Sequence, residues 1–551
     1  MKARKGSSHG YDVTDPTRLN QELGAETDFD TLVRELRNHK MGLLLDIVPN
    51  HMAASPENPW WMDLMENGLC SPYASFFDID WDAFDNRILL PILTRPYEKA
   101  LENQELTLTL EDAGFFVQYG GYRLPLDLKS YRLLLSHCLD DLYKSLGSTH
   151  RDFQELNQLR EAMEHLSSIA NLNPEEAGRE YRDRQAVKES FLYIVKASPR
   201  IRTALLQNIS VFNSKKEKAK ISELMHNLLE QQVYRLAYWK TAREHLNYRR
   251  FFDIDDLIGV RVEEPQVFEA THSLIFRLVR EGKVSGLRID HIDGLNDPLQ
   301  YLCRLQHYLV QQEEETSIHP SFYILVEKIL AGDETLPKEW PVFGTTGYDF
   351  LNTVNSLFVD EKGIQTLDRA YCHFTGSEVA FKDVAYQEKR QVAKELFLGE
   401  MNSLGYHLAC LAQQNWYITD FSLEELTKAL IEITAGLPIY RTYARTLKAS
   451  LRDRPYLERA VQEAKEQNPA LEPAALDLLK RVFLFDLPST FSREQMEAWL
   501  HFVLRWQQLT GAIAAKGVED TALYTYTRLV SLNEVGADPM STNLSVEEFR
   551  R

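Results

Sequence analysis

The sequence predicts an α/β fold, a parallel sheet of barrel type interrupted by large α-helical insertions. Three times a helical pattern feeds a short apolar strand, the signature of a βα unit. In all three the strand finishes on a carboxylate. Between these units the composition shifts to long, polar, periodic helices.

The first unit covers residues 27–52. Phe29, Leu32, Val33 and Leu36 recur at helical spacing, and the apolar run Leu43–Val48, stopped by Pro49-Asn50, reads as a buried strand ending its core at Asp46. The second lies near 267–290, where a helix through Phe268, Leu274, Ile275 and Leu278 ends at Gly282 and leads into Val284–Asp290. The third spans 298–330 and runs into Phe322–Glu327. Among the helices, Leu135, Leu139, Leu142 and Leu146 stop at Gly147, and Leu156, Leu159, Met163 and Leu166 follow a heptad-like spacing. Ile221, Leu224, Leu228 and the Tyr234–His245 stretch continue the helical theme. A second helical block runs from about 361 to 510, with capping boxes Ser422…Glu425 and Ser492…Gln495 and a stop at Gly436-Leu437-Pro438. The expected organisation is a first barrel segment over 1–95, a mainly helical insertion over 96–245, a second barrel segment over 246–360, a helical insertion over 361–505 and a third barrel segment over 506–551.

Composition narrows the function. With 44% hydrophobic and 26% charged residues in 551, the chain can bury a sizeable core. Acidic minus basic side chains is 81 − 62, a net charge of −19 that repels phosphate backbones and anionic lipid, so nucleic acid and membranes are not expected partners. Five scattered cysteines without a CxxC pair exclude a disulfide framework or zinc ribbon and suit a reducing cytosol. No apolar run reaches the ~18 residues of a membrane span. The basic start Met1–Gly6 runs into Ser-Ser-His-Gly with no apolar core, unlike a signal peptide. A soluble, cytoplasmic protein is expected.

The chemistry points to the strand ends. In a βα barrel, side chains at the C-terminal ends of the strands converge on one mouth. Asp46, Asp290 and Glu327 would therefore meet although far apart in sequence. Taken singly, each is as well explained as a helix N-cap or an arginine partner. Arg288, two residues before Asp290 on an extended strand, shares its side and would keep it ionised, as a nucleophile requires. The alternative for this pair is a structural ion pair. Glu327 follows an apolar run, and burial would raise its pKa, as a general acid requires. An ionised Asp with a protonated Glu is the pair of retaining glycoside chemistry.

Asp46-Ile47-Val48-Pro49-Asn50-His51 resembles the first signature segment of the α-amylase superfamily. Gly286–Gly294 resembles the second and Val326–Leu330 the third, in the family's order. Within the superfamily the finer resemblance is to the maltooligosyl trehalose synthase family. It rests on Ala3–Val13, Asn247–Asp253 and Gly344–Phe350, with Lys516-Gly517-Val518-Glu519-Asp520-Thr521 as that family's version of the fourth segment.

The resemblance implies a (β/α)8-type TIM barrel that moves the reducing-end α-1,4 linkage of a maltooligosaccharide to α,α-1,1 by retaining double displacement. It implies Asp290 as nucleophile, Glu327 as acid/base and Asp520 as the third carboxylate. His9, Tyr11, His51 and Arg288 would line the glucose subsite, with Asp46, Asn50, His291, Lys328, Tyr348 and Lys516 as further substrate contacts. Most superfamily members carry a His where Glu519 stands. Asn50 occupies a position that ligates calcium in many amylases, but this branch implies no metal, and a reaction without electron transfer needs no cofactor. The implied substrate is a glycogen-derived α-glucan, and the enzyme acting next would be a maltooligosyl trehalose trehalohydrolase. A plain α-glucan hydrolase and an inactive fragment are the rival readings. Trp60-Trp61, Trp81 and Phe76-Phe77 are read as core rather than sugar platforms, and Arg441 as a salt-bridge partner. Only about 40 residues precede the Asp46 strand, so the barrel is expected to be incomplete, lacking its first strands and its C-terminal region.

Overall fold

The computed structural model describes residues 1–167, 173–310, 322–413, 421–487, 491–540 and 545–550. At its centre lie four parallel strands in the order Leu44–Ile47, Gly286–Ile289, Tyr323–Val326 and Gly344–Thr345. The first three are the predicted strands, each following its predicted helix, Glu26–Asn38, Pro265–Arg280 and Pro298–Val310. The fourth strand lies in the Gly344–Phe350 segment.

Register decides what faces where. Leu45, Leu287 and Ile324 share a row, as do Ile47, Ile289 and Val326. The apolar side chains of these rows pack into the main hydrophobic cluster with Phe268, Leu274, Ile275 and Leu278 of the preceding helix. The opposite face carries Leu44 and Tyr323, both nearly half exposed, and the row Asp46, Arg288, Leu325. The strands are thus buried on one face, not on both as their apolar runs predict. Among the described residues the parallel sheet is an open row of four strands, which leaves Leu44 and Tyr323 on its inner face nearly half exposed. Gly286 has no room for a side chain, because a Cβ there would lie 2.8 Å from the Tyr323 ring and 3.0 Å from Leu44. The Glu26–Asn38 helix buries Val33 and leaves Leu32 half exposed.

The first insertion contains the predicted helices, including Tyr131–Leu146 ended by Gly147 and Arg151–His165 burying Leu156, Leu159 and Met163. It also contains strands that helical periodicity does not reveal. Thr107–Glu111, Gly114–Tyr119 and Tyr122–Pro125 form an antiparallel meander. The stretch after 233 is not helical as expected. Tyr234–Tyr238 is a strand parallel to Ile88–Leu93, because Tyr234 and Leu236 alternate inward around an exposed Arg235, and only a 3-10 turn follows.

The second helical block has its own core, from Val392 to Ile513, around Phe397, Leu430, Leu479 and Trp506. Both predicted capping boxes form, Ser422 with Glu425 and Ser492 with Gln495. The Arg493–Ala514 helix then passes into a π-helical turn, Ala515–Ala522, carrying the predicted fourth segment. Such a widened turn inside a helix is frequent at functional sites. No helix among the described residues is long and apolar enough to cross a membrane.

Candidate active site

The sheet delivers its carboxylates by continuing the ladder one residue past two strands. Asp290 N donates to Ile47 O at 2.9 Å and Glu327 N to Ile289 O at 2.8 Å, which seats both residues at the strand ends. Since Ile289 pairs with Val326, Asp290 and Glu327 stand level on neighbouring strands and share the open face. Asp46 lies directly opposite Arg288, two residues before Asp290.

Arg288 ties this row together. Its Nη1 donates to both Asp46 oxygens at 2.9 and 3.0 Å and to Asp290 Oδ1 at 2.9 Å. Burial works against the guanidinium charge, but the two carboxylates outweigh it and hold Arg288 above its ordinary pKa. The Tyr11 hydroxyl donates to Asp46 Oδ2 at 2.8 Å, and burial together with that bond pushes the phenol up to about 12. His9 is exposed beside Tyr11, accepting its backbone N–H at 3.0 Å.

The two central carboxyls respond differently to their surroundings. Burial pushes Glu327 up to about 7, and the neighbouring Asp290 charge adds to the effect. The His291 N–H, donating to Glu327 Oε2 at 2.9 Å, and Arg288 pull the other way. Asp290 is also raised: burial exceeds the opposing pull of Arg288, so the arginine does not depress Asp290 outright as the sequence reading expects. The result is one carboxyl poised to hold a proton near neutrality beside one paired to a cation, the separation of roles that acid–nucleophile chemistry uses.

Burial favours the neutral form of two histidines, His51 and His291. His51 is fully buried, stacks on Phe251 at 4.2 Å between centroids, and burial lowers it to about 3. Its Nε2 has no hydrogen-bond partner. His291 sits edge-on to Phe251 and Phe252 and is lowered to about 4 by burial. It adopts a left-handed backbone, φ 47°. Asn50 is spoken for by Arg249, whose Nη1 donates to Asn50 Oδ1 at 2.6 Å while Nε holds Asp78 at 2.8 Å. Among the described residues no group of three or more His, Cys, Asp or Glu is arranged to hold a metal ion. Tyr348 is raised by burial and then by the Glu327 charge, which places its phenol near the acid.

Three expected contacts are engaged in ion pairs of their own. The Lys328 side chain is 0% exposed and spends its ammonium on Asp293 at 3.1 Å and Glu334 at 3.2 Å, so it is an internal ion-pair partner and not a ligand group. Asp520 is 55% exposed and pairs with Lys516 at 2.9 Å, while Lys516 also reaches Asp253 at 3.4 Å. Neither belongs to the carboxylate row. On this π-helical turn it is Glu519 that points inward, accepting from the Tyr440 hydroxyl and from Gly536 N at 2.6 Å. The bond between Tyr440 and the inward Glu519, and the Arg249–Asp78 pair behind Asn50, are features that sequence reasoning did not anticipate. The only signal for Arg249 was the Asn247–Asp253 motif itself. Trp61 and Phe77 are core, as expected.

A parallel βα sheet with carboxylates at its strand ends is the layout of enzymes whose active sites form at the strand C-termini. Residues 3–97 match the family model of the α-amylase catalytic domain. The finer likeness, along the whole chain, is to the maltooligosyl trehalose synthases. A Mycobacterium tuberculosis protein assigned that name is 29% identical over 559 aligned positions, covering 100% of this chain and 54% of the relative. The solved maltooligosyltrehalose synthase of Arthrobacter ramosus has a TM-score of 0.69 at 29% identity, covering 100% of this chain and 55% of that structure. A hypothetical maltooligosyl trehalose synthase of Sulfolobus tokodaii gives 0.63 at 26% identity, covering 100% of this chain and 55% of that structure. The chain therefore spans about half the length of the relatives it matches.

Proposed function

We propose that the chain carries the catalytic carboxylates of an intramolecular glucosyl transfer at the reducing end of maltooligosaccharides. It is supported chiefly by the level placement of Asp290, held by Arg288, beside Glu327, pushed up to about 7. Similarity along the whole of this chain to about half of the maltooligosyl trehalose synthases it matches supports the choice of reaction.

Asp290 attacks the anomeric carbon of the glucose next to the terminal one while Glu327 protonates the departing oxygen. The released terminal glucose stays and turns over. Glu327, now a base, takes the proton of its anomeric hydroxyl as that oxygen attacks the glycosyl-enzyme, and an α,α-1,1 linkage forms with retention. Arg288 keeps Asp46 and Asp290 from repelling each other, and Tyr11 offers a ring face. Asp520 and Lys516, carried over from the family pattern, have no step in this scheme. The product is a maltooligosyl trehalose, suited to a trehalohydrolase acting next, and five free cysteines fit a cytoplasmic setting.

Incubation with maltopentaose tests this reading. Reducing ends should disappear without a matching release of glucose. An increase in reducing ends instead assigns the site to a hydrolase, in which water intercepts the intermediate.

A further inference from the structure

The loop that follows the nucleophile is held almost entirely from outside. After His291, the short 3-10 turn Ile292–Gly294 and the residues beyond it leave four successive carbonyls, those of Asp293, Gly294, Leu295 and Asn296, in need of donors. All four are met by side chains of the second helical block. Arg441, wholly buried, donates to Asp293 O at 2.6 Å, to Leu295 O and to Asn296 O at 2.8 Å. Gln508, on the Arg493–Ala514 helix, donates to Gly294 O at 3.0 Å. The side chain of Asp293 is fastened as well, by the Tyr443 hydroxyl and by Lys328, the residue after Glu327. Arg441 Nε donates to Thr442 O at 3.2 Å, so each of these four hydrogen bonds goes to a main-chain carbonyl rather than to the salt bridge expected of it.

This loop begins with His291, whose N–H is bonded to Glu327 and whose backbone is left-handed. An L-residue holds that conformation only when its surroundings over-determine it. We propose that Arg441 and Gln508 are positioning residues: the helical block clamps the 292–296 loop so that the His291 N–H stays on the acid. The insertion thereby tunes the chemistry of the sheet without touching substrate. The inference rests on reading Glu327 as the proton donor.

The charged and titratable groups around Glu327 are Asp290 and Arg288 from the neighbouring strand, Asp293 from the loop, and Tyr348 and Tyr440 from flanking elements. Loosening the clamp leaves the strand and flanking groups in place, with the Asp293 carboxylate still held by Lys328 and Tyr443, and removes a bond that favours the charged form. Glu327 should then titrate higher.

The test is infrared titration of the Glu327 carboxyl, identified by its loss in Glu327→Gln, in the wild type, Arg441→Lys and Gln508→Leu. Arg441→Lys keeps the charge and removes the fork; Gln508→Leu removes one cap and serves if the first variant does not fold. The midpoint should rise by about half to one pH unit, and kcat should fall by about tenfold with KM within about threefold. An unmoved midpoint in a cooperatively folded variant overturns the clamp, even if activity falls. Absence of turnover in the wild type counts against the proposed reaction alone, because the titration needs no substrate.

Discussion

Replacing Asp290 with Asn should lower turnover of maltopentaose by roughly 10³-fold or more while leaving affinity within about threefold. The amide is isosteric and can still accept from Arg288, so the row of side chains keeps its shape, but it cannot form the covalent intermediate. Initial rates and calorimetric binding decide the matter together. A variant that keeps about a tenth of wild-type turnover removes Asp290 from the nucleophile's role. Removing this charge also removes the second-largest influence on Glu327, whose titration should fall from about 7 toward the ordinary glutamate range.

The second large effect belongs to Glu327. Its protonated form is the one that can protonate the departing oxygen, and burial raises it to about 7. kcat/KM should accordingly hold below that value, falling on the acid side only where Asp290 takes up a proton, and decline as pH rises through it, since the acid's proton is then absent from the free enzyme. Glu327→Gln should cost about 10²- to 10⁴-fold and leave a residual rate without this alkaline limb. A wild-type profile flat to well above pH ~8 would place the acid elsewhere, with Glu519, also raised by burial, as the next carboxyl to examine.

Much of the site was legible in the chain because its pieces are local. Each central strand is a short apolar run ending on a carboxylate, each with an amphipathic helix before it, and the caps of the helical block are spaced within a single turn. Arg288 and Asp290 share a side because side chains alternate along a strand, which spacing alone reveals. The electrostatic order was not legible. Whether burial or Arg288 governs Asp290 depends on how much protein covers both, and burial prevails.

What only the tertiary structure decided involves partners far apart in sequence. The choice of Glu519 over Asp520 as the inward carboxylate follows from the phase of a π-helical turn and from Tyr440, 79 residues earlier. Lys328 looked like a site residue beside Glu327 but is consumed by Asp293 and Glu334, because a buried ammonium must be paired. Arg441 caps carbonyls nearly 150 residues away. Sequence by itself determined the family of elements, since helical and strand periodicity are short-range, and it singled out Asp290 and Glu327 as the pair proposed to react. Which polar groups face the substrate and which are spent inside the protein was settled by packing, since satisfying a buried charge is a property of the whole fold.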